Sequence, residues 1–117
     1  MKMTKEVRAR LEEKIRINFN EVQKLLAQRR ELKIKLEEFR TKLNSGYLPK
    51  GIEAIEKWNA DYDTVYFGIQ DLDMALYNPR TKVHNSVQLI LEAGTRPEKK
   101  EEAEKAMTKK WIDPLYD

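Results

Sequence analysis

The 117-residue chain has no cysteine and one histidine, His84. The first absence excludes disulfides, a thiol nucleophile and thiolate zinc ligation, and the second removes most other metal constellations. Long apolar runs are missing as well. Nothing approaches the roughly 20 residues of a membrane-spanning helix. The opening stretch, MKMTKEVRARLEEK, has no apolar segment behind its basic residues, so no secretory signal is expected. There is no phosphate-binding glycine loop, dinucleotide fingerprint, G-x-S-x-G or H-E-x-x-H. Gly and Pro number four each, and neither occurs before Gly46. These absences leave one expectation: a soluble, cytoplasmic, charged helical protein of one domain, without cofactor or metal.

What the chain has in quantity is charge, 37% of all residues, with 23 Lys or Arg against 20 Asp or Glu. The signs are segregated. Residues 1–44 carry a balance of +6, residues 45–78 one of −4, and residues 79–117 one of +1. A basic first segment and an acidic second one attract each other on folding, which weakens a nucleic-acid reading of the positive half.

The hydrophobic spacing predicts helices. Leu11, Ile15, Asn18, Val22, Leu25, Arg29, Leu32, Leu36, Phe39 and Leu43 step alternately by four and three, a heptad seam interrupted only by Asn18 and Arg29. A first helix is expected from Lys5 to Asn44, with Thr4 as N-cap, Glu6 in its first turn and Gly46 as the left-handed stop. Phe19 and Leu26 widen the stripe, so a third helix should pack alongside. A second helix, Lys50 to Tyr77, carries Ile55, Trp58, Tyr62, Val65, Ile69, Leu72 and Leu76 at the same alternation. The stretch from Thr64 to Ile69 is β-branched and aromatic enough to form a strand, but the seven-position period extends beyond both of its ends. Asn78-Pro79 is expected to end or bend this helix.

A third helix follows from Thr81 to Ala93, with Gly94 as its stop, and Thr95 is placed to cap a fourth. Residues 98–110 are a Lys/Glu-rich run, and the chain closes on the apolar cluster Trp111-Ile112-Asp113-Pro114-Leu115-Tyr116. The short connection from Ser45 to Pro49 requires the two long helices to lie antiparallel. The fold expected is therefore all-α: a long antiparallel, coiled-coil-like hairpin with one or two shorter C-terminal helices. Residues 1–94 form the hairpin and third helix, and 95–117 a charged helix with an apolar end, either part of the same domain or a docking tail. At about 1.5 Å per residue the second helix runs out near residue 16 of the first, leaving Val7, Leu11 and Ile15 to be covered by something else.

Catalytic chemistry finds little support. Asp61/Asp63 and Asp71/Asp73 are i,i+2 pairs that point to different helix faces, no Glu-x-x-His occurs, and His84 reads as a surface or capping residue. Leu25-Leu26-Ala27-Gln28-Arg29-Arg30-Glu31-Leu32, with Arg40, resembles the first helix of the small all-helical chorismate mutases, whose basic residues grip the substrate carboxylates. That resemblance covers residues 25–40 alone. Glu12 stands where the family places an earlier arginine, and 51–57 lack the signature of its next helix, so the stretch is read as ordinary long-helix composition.

A non-enzymatic protein–protein interaction module is expected instead: an adaptor, assembly subunit or small inhibitor, and a homo-oligomer. Self-association is assigned to the seam at Leu11, Ile15, Asn18, Val22, Arg29, Trp58 and Tyr62. Tyr66, Phe67, Tyr77, Trp111, Ile112, Leu115 and Tyr116 are candidates to face a partner. Two alternatives remain. Lys5, Arg8, Arg10, Lys14 and Arg16 could contact nucleic acid, although glutamates are interspersed among them. An anionic small molecule could also lie between helices of different subunits, which requires basic groups near the aromatics.

Overall fold

The computed structural model describes residues 2–116, which form helices, tight turns and loops and no strand. Helix α1 spans Lys5–Asn44, α2 spans Ile52–Ala93 and α3 spans Lys100–Met107. The two long helices pack as an antiparallel hairpin. The chain divides into two compact units. One holds residues up to Lys24 and from Leu76 onward, and the other holds Leu25–Ala75.

Both ends of α1 follow from local chemistry. Thr4 Oγ1 accepts the Val7 N–H at 3.2 Å, satisfying one of the free donors of the first turn. Gly46 adopts φ +83°. Its N–H donates to Leu43 O at 3.0 Å, and the Tyr47 N–H reaches back to Lys42 O at 2.9 Å. This closes the helix with a left-handed glycine cap.

Helix α2 departs from expectation at Asn78-Pro79, where it neither ends nor gives way to a separate helix at Thr81. It continues to Ala93 with Pro79 inside. Proline removes the N–H that would bond Ala75 O and crowds that carbonyl, at a cost of about 3 kcal/mol. The inner-face pattern offsets this cost. Beyond Leu76, positions Pro79, Val83, Ser86 and Ile90 continue the alternation of three and four, and all are buried. Val83 and Ile90 have no exposed surface, and burying a side chain of this size contributes roughly 1.5–3 kcal/mol.

The unit built on the chain ends has three layers: the N-terminal half of α1, the C-terminal half of α2, and the segment after α2. Because α2 reaches Ala93, it covers the start of α1. The Met3 N–H donates to Ala93 O at 3.3 Å, and Arg8 Nη1 donates to Gly94 O at 2.5 Å. Ile15 is accordingly buried and Leu11 half-buried, while Val7 stays exposed. Thr95 does not cap the next helix. Its hydroxyl donates to Ile90 O at 2.9 Å and holds the end of α2. A 3-10 turn at Pro97–Lys99 leads into α3, and a widened turn at Thr108–Ile112 and a second 3-10 turn at Asp113–Leu115 follow it.

The central unit is a two-helix core. Leu36, Val65 and Ile69 are buried, with Leu32, Phe39 and Tyr62 packed against them. Residues 64–69 are helical. Gly68 faces Leu32 closely: a Cβ there would lie 3.0 Å from Leu32 Cδ1.

Candidate interaction surfaces

The seam assigned to self-association is occupied within the chain. Ile15 and Val22 are fully buried, and Leu11, Asn18, Arg29, Trp58 and Tyr62 are half-buried. Helix α2 runs on to Ala93 and covers the N-terminal part of the seam, while its other end, at Leu43 and Ile55, stays exposed. The two polar seam residues are absorbed locally. Asn18 Nδ2 donates to Lys14 O at 2.8 Å, one turn back. Arg29 Nε donates to Asp73 Oδ1 at 2.6 Å, joining the two helices of the central unit.

The C-terminal cluster folds onto its own unit. Trp111 meets Phe19 edge-on at 5.1 Å between centroids, so the element packed beside Phe19 is the widened turn at Thr108–Ile112 and not the third helix expected from its spacing. Gln23 Nε2 donates to Pro114 O at 2.9 Å, and Arg80 Nε donates to Leu115 O at 2.8 Å. Leu115 is fully buried and therefore faces no partner, while Trp111 and Ile112 are half-buried. Tyr116 keeps an exposed ring. Its hydroxyl shares a 2.7 Å hydrogen bond with His84 Nε2, and the Arg80 guanidinium lies 4.6 Å from the ring centre. Tyr77, in the same unit, is exposed.

The N-terminal basic residues are partly neutralised. Arg8 pairs with Glu12, Arg10 with Glu6 and, more loosely at 3.8 Å, Arg16 with Glu13. Lys5 and Lys14 are exposed on the same helix. Alternating signs of this kind present no continuous positive stripe to a phosphate backbone.

In the central unit the aromatics form a row along α2. Trp58, Tyr62 and Tyr66 recur every four residues. The first two rings stack 5.9 Å apart and the next two 6.3 Å apart. Phe39 of α1 sets its edge against Trp58 and Tyr62. The row emerges from the core as it proceeds: Tyr66 is exposed, Phe67 meets it edge-on and is 54% exposed, and Met74, two turns further, is 76% exposed. Asp63 precedes Phe67 by one turn and Asp71 follows it by one turn. No Lys or Arg occurs from Trp58 to Pro79. Among the described residues no group of acidic or histidine side chains is placed to hold a metal. The aspartates make this surface unfavourable for an anionic molecule.

A second apolar surface lies at the turn of the hairpin. Leu43, Tyr47, Leu48, Ile52 and Ile55 are all exposed there. The heptad pattern places Leu43 and Ile55 inside and does not single out Tyr47, Leu48 or Ile52. Their signal was present in the sequence: a connection rich in large apolar groups where polar residues are the rule.

No protein-family model, curated protein or solved structure matches the chain. No helix among the described residues is long and apolar enough to cross a membrane.

Proposed function

We propose that this protein is a non-enzymatic helical interaction module that self-associates and captures a basic protein partner on the outer face of α2 in its central unit. The observation that carries this reading is the exposure of Phe67 and Met74 beside Tyr66, in a stretch whose only charged residues are aspartates. Exposed aromatic and methionine side chains supply contact area at low entropic cost, and a rim of one sign selects a partner of the other. Asp73 is engaged by Arg29, whereas Asp63 and Asp71 flank Phe67 and are exposed.

The test uses wild-type protein and a Phe67→Asp/Met74→Asp variant as baits in lysate of the native host. Both substituted side chains are exposed, so circular dichroism and melting temperature stay unchanged. A protein held by the wild type, released between low and moderate salt and lost from the variant is the expected outcome. Equal capture by both baits overturns the assignment of this face.

A further inference from the structure

We infer that the turn of the hairpin, residues 43–55, is a self-association surface whose occupant is the same turn of a second copy, related by a twofold axis. This deepens the self-associating part of the proposed function and uses a surface distinct from the Phe67 face. The side chains concerned are Leu43, Tyr47, Leu48, Ile52 and Ile55, with Leu48 63% exposed and Ile52 76% exposed. Together they present on the order of 500 Å² of apolar surface, at the upper end of what a monomer leaves open in one patch. Doubled across a twofold axis, that area reaches about 1,000 Å², the lower bound for a specific interface.

Charge decides among the occupants. The turn and its immediate flanks, residues 42–56, carry Lys42, whose ammonium lies 5.6 Å from the Tyr47 ring centre, together with Lys50, Glu53 and Glu56. A surface with two charges of each sign is neutral and self-complementary. A twofold axis sets Lys50 of each copy against Glu53 of its mate, as an isologous contact requires. A lipid surface selects a cluster of basic residues, and the two lysines here are balanced by two glutamates. The basic partner proposed for the Phe67 face gains nothing here, since the turn carries no net charge. The turn is also preorganised. Gly46 and Gly51 hold φ of +83° and +93°, and Gly51 O accepts the Ile55 N–H at 3.0 Å to begin α2. Docking therefore orders little backbone.

The experiment is sedimentation equilibrium of the full chain from low micromolar to several hundred micromolar. The wild type is expected to rise from its 13.9 kDa monomer mass toward twice that value. A Leu48→Asp/Ile52→Asp variant should remain at the monomer mass with an unchanged circular dichroism spectrum and melting temperature. Lys50→Glu and Glu53→Lys should each weaken the dimer about tenfold, because each turns two attractive pairs into two repulsive ones. An equimolar mixture of these two variants should regain the wild-type dimer, an outcome that only a copy-to-copy contact produces. A wild-type dimer that persists in the Leu48→Asp/Ile52→Asp variant overturns the assignment of the turn and leaves self-association standing. A wild type that stays monomeric throughout removes both. A monomeric wild type that cosediments with phosphatidylserine vesicles overturns the inference in favour of a lipid occupant.

Discussion

Trp58 is the residue where packing and polarity conflict. Its indole is held by Phe39 edge-on at 5.2 Å and by Tyr62 stacked at 5.9 Å. Its Nε1–H is buried without an acceptor. An unsatisfied buried donor costs about 1–3 kcal/mol, comparable to what the extra ring contributes by burial. Trp58→Phe keeps one aromatic ring in the row and removes the orphaned donor, so it should leave stability unchanged or raise it by up to about 1 kcal/mol. Trp58→Ala, which leaves a cavity between Phe39 and Tyr62, should cost about 3 kcal/mol. Urea unfolding followed by circular dichroism separates these outcomes. A marked loss in the phenylalanine variant would show that the indole nitrogen has a partner in solution. Arg29 behaves differently: its guanidinium reaches Asp73 across the helix pair, so a charged residue on the seam acts as a register pin between α1 and α2.

At the scale of the helix, two glycines with different roles should respond to alanine with opposite signs. Gly46 closes α1 at φ +83° with open space around the position of a Cβ, so Gly46→Ala meets only the backbone penalty of the left-handed region, about 1 kcal/mol. Gly68 is in ordinary helical geometry, where alanine is favoured by about 1 kcal/mol. Its obstacle is the terminal methyl of Leu32 at 3.0 Å, on a half-buried side chain able to yield by a few tenths of an ångström. Gly68→Ala is therefore expected to stabilise by about 0.5 kcal/mol in the same urea titration, and destabilisation would mean that Leu32 is fixed. Pro79 completes the picture of α2. A local rule says the helix stops there, yet the three-and-four alternation passes through the proline to Ile90, and burial of that face governs the outcome.

For the molecule as a whole, the end of the chain stabilises the unit that contains both termini. Removing residues 111–117 deletes the fully buried Leu115, the Phe19–Trp111 contact and the two carbonyls that receive Gln23 and Arg80. The expected loss is at least 3 kcal/mol, which for a chain of this size lowers the melting temperature by about 10 °C or more. Calorimetry of the truncated protein checks this, and an unchanged transition would place the segment off the core in solution. The Phe67 face lies in the other unit, so partner capture by that face should survive the truncation at temperatures where the protein stays folded.

Periodicity and capping chemistry in the amino-acid order were enough to determine α1, the first part of α2, their antiparallel pairing and the caps at Thr4 and Gly46. All of these depend on contacts within a turn or along one helix face, which spacing records directly. Three features depended on tertiary structure. Whether α2 survives Pro79 is a balance between a local penalty and the burial of Val83 and Ile90 against the rest of their unit, and no local pattern contains the second term. Whether Leu115 faces a partner or its own core depends on the chain folding back, which brings residues 80 and 23 to residues 115 and 114. Whether the heptad seam is an interface or an interior depends on how far α2 extends along α1. Once α2 reaches Ala93 the N-terminal part of the seam is covered, and exposed apolar surface stands at the seam's other end, where Leu43 and Ile55 join Leu48 and Ile52, and on the outer face at Phe67 and Met74.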